Sequence, residues 1–230
     1  MKKKTVARRG KERLLDAAER LFAQRGFHGV SLRDITEAAG VDVALVSYHF
    51  GGKRALFTAV FERRAEVLNR ERLELLEEVR LAALPGAPQL EAIVNAFSYP
   101  LLERSARGGP EWKSYFALVA YVNNSPEFGP VMMTRHFDPC VDKFIAVLRA
   151  ALPDCPAREI YWGYQFLTGA LTLTFAETGR IDKLSGGLCR SSDLDSVQQR
   201  LVPYVAAGFR ALCAARAVRA PQGKRRRAIK

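Results

Sequence analysis

The chain has 230 residues, 48% of them hydrophobic, and a formal net charge of +12. That length holds one large domain or a small one joined to a larger one, and that apolar content builds a proper core, which excludes a disordered chain. The charge is lopsided: Lys2, Lys3, Lys4, Arg8, Arg9, Lys11 and Arg13 stand against Glu12 before Leu14, and Arg219, Lys224, Arg225, Arg226, Arg227 and Lys230 follow Val218, leaving the stretch between formally neutral. Basic ends on a neutral body suit arms lying along a polyanion; solubilising ends of no specific purpose are the alternative.

From Lys11 to Arg25, Leu14, Leu15, Ala18, Leu21 and Phe22 recur at helical spacing, and Gly26 supplies a stop. Ser31 and Asp34 then stand in capping-box positions ahead of Leu32, Ile35 and Ala39, a second, two-turn helix before Gly40. Asp42 caps a third short helix that runs to about Phe50, where Gly51-Gly52 breaks it. Three short helices with a Gly-containing turn between the last two outline a helix-turn-helix. Longer helices are expected over Lys53–Leu81, Gln89–Ser105, Glu111–Asn123, Val131–Leu152, Ala157–Thr178 and Leu194–Arg216. The separators "RGGP", "NNSPEFGP", "LPDCP" and "GRIDKLSGGLCRSSD" are turn or loop chemistry, and no alternating strand pattern occurs. The expected fold is all-α with about nine helices: a basic flexible arm over 1–10, a helix-turn-helix unit over 11–56, a larger helical domain over 57–218 and a basic tail over 219–230.

Several function classes fall away. Cys140, Cys155, Cys189 and Cys213 form no CxxC pair, so neither a zinc site nor a disulfide framework is indicated and reduced thiols are the simplest expectation. His136 and Cys140 are four apart, but Pro139 intervenes and no further ligand lies nearby; no metal and no cofactor are expected. There is no Ser-His-Asp elbow, phosphate loop, HExxH or paired carboxylate, hence no catalytic residue to name and no enzyme. No apolar run reaches the ~18 to 20 residues a bilayer span needs, and the basic start leads into an amphipathic segment rather than a signal-peptide core, so the expected compartment is the cytoplasm.

In the third helix, Val46 and Phe50 lie four apart and face the first two helices, which turns the other side outward. Val43, Ala44 and Leu45 suit thymine methyls in a major groove, while Ser47, Tyr48 and His49 suit phosphate oxygens. Lys53 adds a cation at the start of the next helix, where free amides also favour an anion. The alternative is that Tyr48 and His49 merely pack against the long helix.

The stretch "ERLLDAAERLFAQRGFHGVSLRDITEAAGVDVALVSYHFGGKRALFTAVF" resembles the N-terminal domain of TetR/AcrR-type transcriptional regulators over nearly its whole length, including Gly26-Phe27, Ser31 to Ile35, Gly40-Val41, Tyr48 to Phe50 and Lys53 to Leu56. The resemblance implies a three-helix DNA-binding domain, a larger helical ligand-binding and dimerisation domain, and a homodimer that acts as a repressor, leaving its operator when a small molecule binds. It would put Arg33 towards a base or phosphate, Val43, Ala44 and Leu45 at base edges, and Ser47, Tyr48, His49 and Lys53 along the backbone. The chain departs from the commoner family pattern at Asp42, Val43, Leu45 and Ser47, so direct hydrogen-bond readout is expected to be sparse, with phosphate contacts and the arm Lys2 to Lys11 compensating.

The stretch "RHFDPCVDKFIAVLRAALPDCPAREIYWGYQFLTGALTLTFAETGRID" also resembles the ligand domain of the PsrA-like branch, whose members include regulators answering to fatty acyl compounds. That implies a small hydrophobic effector, a fatty acid or acyl-CoA-like compound, in an apolar tunnel near Trp112, Phe116, Met133 and Phe137 with Arg135 or His136 at a polar head group. Simple packing is the alternative for each residue, and a DNA-binding protein with a packed interior and no effector is the alternative for the whole. The same resemblance pairs the last two long helices with their copies, with Gly163, Gly169, Ala170, Ala206, Ala207 and Gly208 allowing close approach, and spaces two recognition helices over a pseudo-palindromic operator.

Overall fold

A computed structural model describes residues 2–214; the expected basic tail over 219–230 lies outside them. Every regular element among the described residues is an α-helix: α1 (Lys2–Arg25), α2 (Leu32–Ala39), α3 (Ala44–Phe50), α4 (Lys53–Ala82), α5 (Leu90–Arg107), α6 (Pro110–Asn123), α7 (Gly129–Ala151), α8 (Ala157–Phe175), α9 (Arg180–Leu184) and α10 (Leu194–Ala214). The all-α expectation holds, with ten helices instead of about nine. The addition is α9, five residues inside a stretch read as loop, too short for any periodicity to register. α1 begins at Lys2 rather than Lys11, so the segment expected as a flexible arm is helical from Lys2 on. Lys, Arg and Ala are good helix formers, and one glycine, Gly10, does not outweigh them.

The first three helices are set by their ends. The Asp34 amide donates to Ser31 Oγ at 3.1 Å and the Ser31 amide to Asp34 Oδ2 at 2.7 Å, a reciprocal capping box at the start of α2. Asp42 accepts the Ala44 amide at 2.7 Å and so opens α3. Gly40 and Gly51 close α2 and α3 at φ of +61° and +78°, which a side chain resists.

Leu14, Ala18, Leu21 and Phe22 of α1, Ile35 of α2 and Val46 of α3 bury against Leu56, Phe57 and Phe61 of α4. α4 has 30 residues, about 45 Å of helix at ~1.5 Å per residue, and belongs to both halves of the molecule. Its first turns complete the three-helix unit; further along, Leu68, Arg72 and Leu76 are buried inside the larger bundle formed with α5 to α8 and α10.

α7 runs through Pro139, as the helix expected over Val131–Leu152 does, and keeps His136 and Cys140 on one helix; among the described residues no group of three His, Cys, Asp or Glu gathers that could hold a metal. One expectation is corrected. Cys155, before α8, and Cys213, in the last turn of α10, form a disulfide rather than two thiols, while Cys140 (buried) and Cys189 (exposed) are free. The partners are 58 residues apart, a spacing that matches no motif; only the packing of α8 on α10 joins them.

Candidate nucleic-acid interface and inner cavity

Arg33 on α2, Val43 and, on α3, Ala44, Ser47 and Tyr48 are exposed, Tyr48 to 79%. The other expected contacts are less free. Leu45 is half-buried and packs on the core, close enough to α1 that a methyl group at Gly10 would touch it. His49 is half-buried beside Tyr48 and Phe50, and its Nε2 has no hydrogen-bond partner among the described residues. Lys53 lays its Nζ 4.3 Å from the ring centre of Phe27. Phe50, expected in the core, is half-buried with Lys11 Nζ 5.8 Å above its ring. The open face of the helix-turn-helix is thus narrow: Val43, Ala44, Ser47 and Tyr48, with Arg33 alongside.

Two ties fasten this unit to the larger half. The first is Glu19, 2% exposed, whose carboxylate accepts from Arg63 at 3.0 Å and from Arg64 at 2.8 and 2.9 Å. Burial pulls the Arg63 pKa down, but hydrogen bonding to Asp16 and the Glu19 charge outweigh it, so the guanidinium is held more firmly charged than usual. In the second tie, Glu127, between α6 and α7, accepts from His28 at 2.8 Å and from Arg54. The His28 hydrogen bond, aided by Arg54, holds its carboxyl below the usual range. Beneath it, the rings of Phe27, Phe57 and Phe128 meet with centres 4.9 to 5.1 Å apart.

A cavity of about 50 Å³ lies among α4 to α8, walled by Phe97, Phe116, Phe137, Leu171 and Phe175, with Arg72, Asn123, Tyr164, Thr168 and Thr172 as polar members. Asn123 and Met133 belong to its wall and also to that of an open hollow of about 380 Å³ where α6 leads into α7. Of the residues expected at a pocket, Phe116, Met133 and Phe137 line this cavity. Trp112, Arg135 and His136 do not. The Trp112 ring lies 4.9 and 5.3 Å from the guanidinium carbons of Arg64 and Arg104. Arg135 points to solvent. His136 packs 5.8 Å from Phe61, its carbonyl accepts from Asn69, and burial lowers its pKa.

Sequence reasoning missed Arg72. A signal existed: it stands in line with Phe61, Ala65, Leu68 and Leu76 on the buried stripe of α4, where a cation is out of place.

On the far side, Tyr161, Trp162, Phe166 and Leu173 of α8 and Tyr204 of α10 are exposed. Gly169 and Gly208 face open space, whereas a side chain at Gly163 would overlap the Phe209 ring and Ala206 is fully buried. Gly163 therefore serves the contact of α8 with α10 inside one chain, and Ala206 is buried within it.

The profile described as bacterial regulatory proteins, tetR family, matches residues 14–60, and that described as tetracyclin repressor-like, C-terminal domain, matches residues 95–208. The second match is to the family at large and does not single out the PsrA-like branch. An uncharacterized HTH-type transcriptional regulator of Mycobacterium tuberculosis is 30% identical over 168 residues, 70% of this chain and 73% of its own. The hemolysin II transcriptional regulator HlyIIR superposes with a TM-score of 0.56 at 19% identity, over 86% of this chain and 97% of its own. The fatty acid degradation regulator FadR of Bacillus halodurans does so with a TM-score of 0.56 at 13% identity, over 84% and 94%. At such identities the likeness is one of fold.

Proposed function

Since the chain belongs to the TetR family of transcriptional regulators, we propose that it is a ligand-responsive repressor: a dimer whose paired α3 helices hold a pseudo-palindromic operator and release it when a small hydrophobic effector enters the cavity beside α4. The observation that carries this reading is the continuity of α4, which packs against α3 at one end and walls the cavity further along. An effector that binds only one position of α4 shifts the population towards it, and the ties at Glu19 and Glu127 carry the three-helix unit with it. In the DNA complex Val43 and Ala44 meet thymine methyls, with Leu45 at the edge, while Arg33, Ser47, Tyr48, His49 and Lys53 reach the backbone. The exposed aromatic face of α8, with Tyr204 of α10, is the surface for the second subunit. Activity in the cytoplasm, without catalysis, belongs to the same reading; no helix among the described residues is long and apolar enough to cross a membrane.

Selecting bound fragments from genomic DNA tests the DNA half of the proposal. Two inverted half-sites centred roughly 34–36 Å apart, or a multiple, are expected; lone half-sites would sink the dimeric reading. A second reading, a DNA-binding protein that senses nothing, is favoured by the small size of the cavity, about 50 Å³ against the roughly 300–1,000 Å³ of ligand pockets. Melting the protein with fatty acids, acyl-CoAs and aromatic compounds separates the two, because a ligand of the folded form raises the melting temperature.

A further inference from the structure

Arg72 is 3% exposed. Its Nε donates to the Phe97 carbonyl at 3.0 Å, its Nη1 reaches Asn69 Oδ1 at 3.5 Å, and its guanidinium carbon lies 3.6 Å from the ring centre of Phe97. No carboxylate among the described residues lies within ion-pair distance of this guanidinium. The titratable groups around it are Tyr115 of α6, Cys140 of α7 and Tyr164 of α8, each pushed by burial towards its neutral form. A guanidinium does not escape its charge by losing a proton. A buried cation with neutral neighbours lowers stability, and this one stands in the wall of the cavity.

The cavity is mostly apolar; besides that cation, Tyr164, Thr168 and Thr172 of α8 add groups able to hydrogen-bond, with Asn123 on the side shared with the open hollow. Its wall is thin at Met133, an adaptable side chain shared with the open hollow of about 380 Å³. A turn of Met133 would join the two spaces into a channel with Arg72 at its inner end. An acyl-CoA entering tail-first would bring a methyl group to Arg72 and leave the charge unanswered; a free acid entering head-first brings a planar anion that an Arg fork matches.

We propose that Arg72 is the anion anchor of the effector site and that the effector is a free monocarboxylic acid with an apolar body, bound carboxylate inward. This rests on the ligand-responsive reading above and narrows it to a chemical class.

The test is calorimetric titration and thermal melting of the full chain with carboxylates from butyrate to palmitate and phenylacetate, each beside its alcohol and its CoA thioester. The wild-type protein should bind at least one acid and prefer it to the matching alcohol and thioester. Arg72→Gln keeps a donor for the Phe97 carbonyl but loses the charge; it should weaken that acid by roughly 10- to 100-fold, leave the alcohol unchanged, and melt no lower than the wild type without ligand. Arg72→Lys should recover part of the affinity. A purely structural Arg72 would show instead as a lower melting temperature of Arg72→Gln with acid and alcohol affected alike. Alcohols or thioesters that bind as well as acids to the wild type overturn the anchor and leave the ligand-responsive reading standing, a contrast that needs no variant. Silence from all three series overturns both.

Discussion

The outer face of α3 and the inner turn of α4 reverse the usual placement of charge. Val43, Ala44, Ser47 and Tyr48, the exposed face proposed for DNA, hold no cation among them, whereas Arg72 keeps a cation in an apolar interior. The difference separates attraction from discrimination. Contacts to phosphate position a protein without reading sequence; in the reading proposed above they fall to Arg33, Ser47, Tyr48, His49 and Lys53, leaving Val43 and Ala44 to methyl contacts. Inside, where the effective dielectric is low, a single charge discriminates strongly between ligands. Between the two regions the charges at Glu19 are paired, which makes that junction the place where the comparison breaks most sharply.

Glu19→Ala should produce the largest effect. It strips Arg63 and Arg64 of their buried anion, and breaking such a pair costs about 3–5 kcal/mol, read as a shift in the urea midpoint. A loss below about 1 kcal/mol would mean that water reaches the junction and that it behaves as a surface pair. Gly163→Ala comes next: its methyl would overlap Phe209, an overpacking cost of about 1–3 kcal/mol. Phe209→Leu in the same chain should recover part of it, so the double-mutant cycle should show favourable coupling. Tyr48→Phe should leave stability within about 0.5 kcal/mol yet weaken operator binding about fivefold, the worth of one hydrogen bond. Unchanged affinity in a filter-binding titration would assign Tyr48 to packing rather than to phosphate.

The outer half of this comparison was legible in the sequence. Ser31 with Asp34, Gly40, Asp42 and Gly51 are local signals, each acting within a few residues, and they place α2 and α3 almost to the residue. The long helices were legible for the same reason, since their stripes and breakers are local. What stayed hidden depends on partners far along the chain. Leu45 reads as outward on a helical wheel, and only the arrival of Gly10 of α1 shows it half-covered. Trp112 reads as pocket lining, and only Arg64 and Arg104 show it spoken for. Gly163 and Ala206 read as a dimer seam, yet Phe209 claims the first for the chain itself. Arg72 is one charge among the many Glu and Arg of α4, and only the apolar stripe it interrupts marks it as buried.

The smallest effect is expected at Glu77, the outer counterpart of Arg72 on the same helix. It accepts from Arg80 at 3.0 Å and forms an ion pair with Lys143 of α7 at 2.9 Å. Hydrogen bonds from Arg80 and then Lys143 hold its carboxyl down to about 2, against an ordinary 4.5. With the folded pKa below the unfolded one, the unfolded chain takes up the proton first as pH falls; the stabilisation is whole above about 4.5 and drains away towards about 2. Because the pair is on the surface, salt thins it further. Glu77→Gln should therefore melt slightly below the wild type at neutral pH, with the gap closing in acid and in high salt. Arg72→Gln should show no such closing, since no carboxylate answers Arg72. A Glu77 gap that ignored both pH and salt would place its contribution in packing, and the contrast between the two charges of α4 would then be one of burial alone.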